Sequence, residues 1–220
     1  STAHTYLATL LDLGYVVKSG DRYALGPEFL TLGEYVRHNS RLYEASKNEV
    51  DQLAEATGEA VHLVIEHQGR GIALYEQFGP QAIGTEFHQT LRQQPHRHLH
   101  CTASGKAILA SLPEDRVDEI LDEHGLRDRT ANTITDRATL FEEFEAIRDR
   151  GYAVNDGEEL LGIAAVGVPI RDETQTVLGS IAVSMPKSRT EQDAFSEDVI
   201  RLVERAANSI EVNLQTTTAD

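Results

Sequence analysis

The sequence predicts an α+β chain in which part of a winged helix-turn-helix precedes an antiparallel sheet covered by helices. Three observations carry this expectation. The opening run STAHTYLATLLDLGYVVKSGDRYALG sets a helical pattern directly before a tight hairpin pattern. Downstream, strand-like runs come in adjacent pairs joined by polar turns, as an antiparallel sheet requires, and do not alternate singly with helices as a parallel sheet would. The last long segment has a continuous apolar face at helical spacing, suited to lying on a sheet.

Taken in order, Ser1 and Thr2 stand where an N-cap and first turn belong. Leu7, Leu10, Leu11 and Leu13 then form an apolar stripe that Gly14 ends. Residues 15–17 and 22–25 flank Lys18-Ser19-Gly20-Asp21, a polar, Gly-containing turn, and predict a hairpin. Pro27 suits the first turn of a linker helix through Leu30, Leu32 and Val36. A helix over 42–57 follows, with Val50, Leu53, Ala54 and Ala56 apolar and Gly58 at its end. Strands over 60–65 and 72–78 are joined by the Gly-rich turn Gln68-Gly69-Arg70-Gly71. Residues 79–101 lack a strong period and carry His88, His96, His98 and His100. Three helices are expected next, over 104–112, from Pro113 through Val117, Ile120 and Leu121, and over 137–150. A short strand over 152–154 precedes strong strands over 163–170 and 177–185, separated by the polar turn 171–176. A final helix over 191–214 aligns Phe195, Val199, Leu202, Val203, Ala206 and Ile210, and a polar tail is expected to fray.

Composition narrows the function classes. In 220 residues no stretch approaches the apolar length of a membrane span and none has the pattern of a signal peptide, so a cytoplasmic protein is expected. Cys101 is the only cysteine, which excludes an intrachain disulfide and a multi-cysteine metal site. The formal net charge is −16, and Lys18, Lys47, Lys106 and Lys187 are the only lysines among 20 basic residues. Such an acidic, lysine-poor surface stays hydrated in concentrated salt, so a halophilic source is expected, with an ordinary acidic bacterial protein as the alternative. The negative charge opposes phosphate binding. Within residues 1–26, however, Lys18 and Arg22 offset Asp12 and Asp21.

Three ordered blocks resemble the IclR family of transcriptional regulators. The first is the opening helix and wing, ending in Arg22-Tyr23-Ala24-Leu25-Gly26. The second is His100-Cys101-Thr102-Ala103-Ser104-Gly105-Lys106-Ala107-Ile108-Leu109-Ala110, similar to the family's cysteine-threonine-alanine-x-glycine-lysine-alanine helix start. The third runs from Arg150-Gly151-Tyr152-Ala153-Val154-Asn155-Asp156-Gly157-Glu158-Glu159 through Gly162 and Val168-Pro169-Ile170-Arg171-Asp172 to residues 180–186. The resemblance implies a winged helix-turn-helix joined to a GAF-like effector-binding domain. It divides the chain into residues 1–26 (the C-terminal part of the DNA-binding domain), 27–40 (linker helix) and 41–220 (effector-binding domain). The family's first DNA-binding helices have no counterpart before Ser1, so an N-terminally truncated chain is expected. The implied protein is a DNA-binding regulator of a metabolic pathway, not an enzyme. Its implied partners are operator DNA, a small-molecule effector and further copies of itself in a dimer or tetramer, without membrane or cofactor. A small-molecule enzyme, or a sensor module without a DNA role, is the alternative.

Candidate site residues follow. A recognition helix reads base edges with its N-terminal side chains while the wing meets phosphates. Ser1, Thr2, His4 and Thr5 are short donors and acceptors on the polar side of the helix, capping being the other role open to Ser1 and Thr2. Lys18 and Arg22 are the phosphate candidates. His100, Cys101, Thr102, Ala103, Ser104 and Gly105 lead into a helix whose free N–H groups and dipole attract an anion. The string Gly105-Lys106-Ala107 lacks the rest of a phosphate-binding loop, and nucleotide binding is rejected. Asn155 and Asp156 are expected on the pocket rim after the short strand, with the neighbouring acids solvated. Ala165, Ala182 and Ser184 alternate on the late strands and are expected to line the pocket or simply pack the core. Ala165 is small where some family members place a polar or thiol group, so effector chemistry does not transfer. His96, His98 and His100 alternate and share one face of an extended segment; with His88 or Asp156 they have a metal-like spacing, but a pocket-lining loop is the stronger reading. Cys101 beside His100 lacks the third, orienting group of a thiol nucleophile.

Overall fold

The β6–β7 strand pair organises the larger part of the chain, because both strands are buried along almost their whole length and therefore need cover on both faces. The computed structural model describes residues 2–83, 98–190 and 195–216. Its elements are α1 (Thr2–Asp12), β1 (Val16–Ser19), β2 (Arg22–Leu25), α2 (Glu28–His38), α3 (Arg41–Thr57), β3 (Ala60–His67), β4 (Arg70–Phe78), α4 (Ala103–Leu109), α5 (Glu114–His124), α6 (Arg137–Arg150), β5 (Ala153–Asp156), β6 (Ile163–Arg171), β7 (Val177–Pro186) and α7 (Glu197–Thr216). They form two units, residues 1–44 and 45–220.

In the first unit, β1 and β2 pair antiparallel with Val16 opposite Leu25 and Ser19 opposite Arg22. The Gly26 N–H donates to Tyr15 O at 2.7 Å and closes the hairpin. The expected helix, wing and linker helix are all present. Neither α1 nor α2 buries a side chain fully.

In the second unit, five strands run in the order β4-β3-β7-β6-β5, every pairing antiparallel. Helix α7 packs on β6 and β7 through an apolar stripe of Val203, Ala206, Ala207, Ile210 and Leu214. Helix α4 lies on β3, β5, β6 and β7, and its seven residues are all buried. Two glycines permit that fit. A Cβ at Gly167 of β6 would stand 2.8–3.0 Å from the Ala103 and Ser104 backbone, and one at Gly105 would stand 2.1 Å from Leu99 O. Helices α5 and α6 complete a second apolar core of Leu109, Val117, Ile120, Leu121, Leu140, Phe144 and Ile147 around α4.

Several boundaries differ from expectation: β3 runs to His67 and β4 begins at Arg70, leaving Gln68 and Gly69 as the turn, and α4 ends at Leu109. Strand β5 runs Ala153–Asp156, so Asn155 and Asp156 belong to the strand, drawn in by pairing with Ala165 and Ala164 of β6. Helix α7 starts at Glu197, after a 3₁₀ turn at Lys187–Arg189. Residues 191–194 lie outside the described residues.

The expectation that the acids after β5 are solvated is corrected at Glu158. This carboxylate is buried, with Oε1 2.6 Å from Lys106 Nζ of α4. Lys106, itself 1% exposed, also reaches Glu143 of α6 at 3.3 Å, and Glu143 accepts from Arg150 at 2.8 Å. Burial pushes the Glu158 carboxyl above the usual carboxylate range, with the Lys106 charge opposing that shift.

Removing one member of a buried pair leaves an uncompensated charge, which costs about 3–5 kcal/mol. Lys106→Met is therefore expected to lower denaturant-unfolding stability by about that amount at neutral pH, and Lys106→Met with Glu158→Gln to recover most of the loss. A carboxyl whose folded pKa is raised adds stability as pH falls through that value and loses it as pH rises. The single-variant deficit should thus shrink on acidification.

Candidate functional site

A pocket opens between α4 and the face of the sheet that α4 covers. Its walls are His62 and Val64 of β3, Gly71 of β4, Thr102 to Ser104 at the start of α4, Asn155 of β5, Glu159 and Leu160, Ile163 and Ala165 of β6, and Ala182 and Ser184 of β7. The cavity volume is small, about 50 Å³. The register explains the convergence. Ala165 pairs with Ser184, Asn155 with Ala165, and His62 with Ala182, so the period-two alternation of each strand turns all of them to one face.

Thr102 caps α4: its Oγ1 accepts from the Gly105 N–H at 3.0 Å. The capped turn sets Ala103 and Ser104 into the wall. The amides of a first helical turn have no acceptor within the helix, so this wall offers donors to a ligand. Asn155 Oδ1 accepts from the Glu158 N–H at 2.7 Å, fixing its amide at the pocket edge and turning the loop that carries Glu159.

Of the expected effector residues, Thr102, Ala103, Ser104, Asn155, Ala165, Ala182 and Ser184 line this pocket. His100, Cys101, Gly105 and Asp156 do not. His100 is buried and donates from Nε2 to Arg127 O at 3.1 Å. Burial lowers its pKa, the Arg127 carbonyl opposing and the Lys106 charge adding to the shift. Cys101 is buried with Sγ 3.8 Å from His98 O; burial, then the Glu159 charge, push its thiol up to about 12. Gly105 is pressed against the Leu99 backbone. Asp156 is on the opposite face of β5 from Asn155 and pairs with Lys187 at 2.8 Å, beside Lys106, Glu143, Arg150 and Glu158 in a second, polar cavity.

Of the metal candidates, His88 and His96 lie outside the described residues. His98 Nδ1 accepts from the Arg70 guanidinium at 3.2 Å, and its pKa falls to about 4, chiefly by burial and then by the Arg70 charge. A cation on that nitrogen takes the lone pair a metal would need. Among the described residues no three His, Cys, Asp or Glu side chains converge on one point.

Ser1 is also outside the described residues; Thr2, His4, Thr5, Lys18 and Arg22 are exposed. Lys18 sits on β1 and Arg22 on β2, flanking the wing turn.

His62, Glu76, Val64 and Glu159 were not among the expected site residues. His62 Nδ1 is 2.7 Å from Glu76 Oε1, and its Nε2 is 2.8 Å from Ser184 Oγ. The signal was present in the sequence: a histidine inside the apolar run 60–65, two residues from Val64 and therefore on its face.

Comparison with known proteins places this architecture. The family model for the bacterial transcriptional regulator IclR C-terminal domain matches residues 34–212. The probable HTH-type transcriptional regulator ArcR of Halobacterium salinarum is 42% identical over 217 residues, covering 98% of this chain and 82% of the relative. The crystal structure of Thermotoga maritima IclR superposes with a TM-score of 0.77 at 30% identity, over 97% of this chain and 85% of that one. An IclR homologue from Microbacterium hydrocarbonoxydans, crystallised with 4-hydroxybenzoate, has the same fold, with a TM-score of 0.81 at 20% identity over 98% and 86% of the two chains.

Thiolates, not thiols, react with disulfide reagents. Cys101 is expected to react with a dithiobenzoate reagent at mildly alkaline pH about 100-fold more slowly in the folded chain than in denaturant, a difference that stopped-flow absorbance measures directly.

Proposed function

Because this chain belongs to the IclR family of transcriptional regulators, we propose that it senses a small metabolite in the α4-covered pocket and transmits occupancy to an operator-binding unit. It regulates transcription by binding operator DNA under the control of an effector. The observation that carries the sensing role is the pocket itself: a mostly apolar enclosure with a few converging polar groups, the usual form of a small-molecule site. Its contacting residues are Thr102, Ala103, Ser104, Asn155, Ala165, Ala182 and Ser184, together with His62 and Glu159. The effector is an organic acid, a sugar derivative or an aromatic acid, the last being the class that 4-hydroxybenzoate represents in the Microbacterium homologue.

Residues 1–26 serve as part of the DNA reader, 27–40 as the linker helix and 41–220 as the sensor, in agreement with a division into units near residue 44. Thr2, His4 and Thr5, with Ser1 before them, face base edges and phosphates; Lys18 and Arg22 meet the backbone from the wing. In a dimer or tetramer the effector acts by population shift, binding better to one arrangement of the DNA readers than to the other. No helix among the described residues is long and apolar enough to cross a membrane, which accords with work on DNA in the cytoplasm.

A thermal-shift screen of metabolites against the chain, followed by Ala165→Leu, tests the sensing role. The leucine fills the pocket from β6, so a metabolite that stabilises the parent chain is expected to bind the variant about tenfold or more weakly, an added cost of at least ~1.4 kcal/mol. Metabolite binding unchanged by Ala165→Leu sinks the pocket assignment. In regulator–operator titrations, Arg22→Ala should weaken binding to all sequences alike and reduce the salt slope by about one; an unchanged slope excludes Arg22 as a phosphate contact.

A further inference from the structure

Positive charge is scarce in the second unit, and much of it is already paired. Arg116, Arg137, Arg148, Arg150, Arg189 and Arg201 each meet a carboxylate. Arg70, Arg127 and Arg129 form no such pair among the described residues, although the unit holds nearly the whole net charge of −16. These three stand together. Arg70 opens β4, and its Nη1 donates to His98 Nδ1 at 3.2 Å. The His98 ring meets the His100 ring edge to face with centroids 5.5 Å apart, and His100 Nε2 donates to Arg127 O at 3.1 Å. Two residues on, the Arg129 N–H donates to Thr133 Oγ1 at 3.1 Å. Burial first, then the charges of Arg70, His100, Arg127 and Arg129, bring His98 down to about 4. Guanidinium charges from two separate segments thus act on one ring.

The backbone that carries them is tied in place. Thr130 Oγ1 donates to Gly157 O at 2.7 Å and Thr133 Oγ1 to Glu158 O at 2.6 Å, which joins 127–133 to the loop that carries Glu159. The neutral His98 ring accepts one N–H of Arg70 and orients its planar fork, leaving the rest of that fork for a ligand. Arg127 and Arg129 are exposed. The cluster also adjoins the α4-covered pocket. Arg70 directly precedes Gly71 and Cys101 directly precedes Thr102, and both Gly71 and Thr102 are lining residues. Burial and the Glu159 charge raise the Cys101 thiol while the Arg129 charge opposes them, which sets Arg129 near that same edge. The acids close by are Glu159 on the pocket wall and Asp128, exposed between the two arginines in sequence.

Among the described lining residues there is no lysine or arginine, so a multiply charged anion on a ligand finds its partners at the edge of the pocket and not inside it. Guanidinium forks match phosphate oxygens in pairs. Three arginines within an acidic unit suit one phosphate group; an extended polyanion would meet the acidic surplus beyond them. We propose that Arg70, Arg127 and Arg129 form a phosphate-binding site at the edge of the pocket, and that the effector is a phosphorylated small metabolite whose organic end enters the pocket. This rests on the effector-pocket reading and narrows its ligand class. The three arginines are contacts, and His98 is a positioning residue for Arg70.

Phosphorus NMR and calorimetric titrations test this in molar KCl with inorganic phosphate, ethyl phosphate and phenyl phosphate, and with ethanol and phenol as the same bodies without the phosphate. Inorganic phosphate is expected to bind, and at least one ester to bind about tenfold more tightly, because its apolar end leaves water. The alcohols should bind more weakly than their esters. Arg70→Gln, Arg127→Gln and Arg129→Gln should each weaken all three phosphates about tenfold, and Arg70→Lys, which keeps the charge but not the fork, should recover only part of that loss. Arg201→Gln removes an equal charge from the exposed face of α7 and should change nothing. Inorganic phosphate that does not bind, or phosphate binding that Arg201→Gln weakens as much as the cluster variants do, overturns the proposal. Ala165→Leu separates the two readings. If it brings the tighter ester down to the level of inorganic phosphate, the joint site stands. Esters that bind no more tightly than inorganic phosphate and ignore Ala165→Leu, while the arginine variants still weaken them, mark a site for free phosphate and overturn the link to the effector. An ester that Ala165→Leu displaces and the arginine variants leave alone overturns the phosphate site and keeps the pocket assignment.

Discussion

The ammonium of Lys106 is the constraint on which the second unit depends. It projects from a seven-residue helix that is wholly buried and meets carboxylates from the loop after β5 and from α6. Three elements distant in sequence are thereby joined at one point where water is excluded. A charge in such a place costs several kcal/mol unless partners surround it, so α4, the loop and α6 have to arrive together. The pocket inherits this arrangement: Ser104 is two residues before Lys106, and Glu159 directly follows Glu158. What positions the wall is a charge network just behind it.

The scarcity of lysine elsewhere sharpens the point. Four lysines stand among 20 basic residues, and Lys47, Lys106 and Lys187 each hold an ion pair in the second unit. A compact ammonium on a flexible stem fits between two carboxylates where the planar, wider guanidinium of arginine would not. The acidic surplus has its own distribution. Residues 1–44 carry Lys18, Arg22, Arg37 and Arg41 against Asp12, Asp21, Glu28, Glu34 and Glu44, so nearly the whole net charge of −16 belongs to the second unit. The part proposed to meet DNA is close to neutral, and the acidic surplus lies outside it.

Much of this was legible in the sequence, for identifiable reasons. Helices and strands followed hydrophobic period, and the antiparallel order followed from strand pairs with polar turns. The alternation Ala182–Ser184, with Ala165 on the neighbouring strand, predicted one face correctly because strand geometry leaves no freedom there. Three things were not legible. Strand β5 extends to Asp156 because β6 offers it pairing partners, a tertiary effect that local pattern does not contain. That extension turns Asp156 away from Asn155 and out of the pocket. Cys101 and His100 are expected in the pocket wall from the sequence, yet both are buried away from it, next to the tight approach of Leu99 to Gly105. The His62–Glu76 pair joins residues 14 apart and becomes meaningful only once β3 and β4 are in register.

The way structural and contacting residues are interleaved bears on how such a pocket diversifies. At the start of α4 and at Glu159, the wall residues adjoin the helix cap or Glu158, the partner of Lys106, so substitution there disturbs folding. Ala165 and Ala182 are different: small side chains on continuous strands, whose backbone is held by β3, β5, β6 and β7 pairing whatever the side chain is. In the proposed effector pocket, ligand preference is free to drift at those two positions, and descendants of one fold can come to recognise unrelated metabolites without renegotiating their cores.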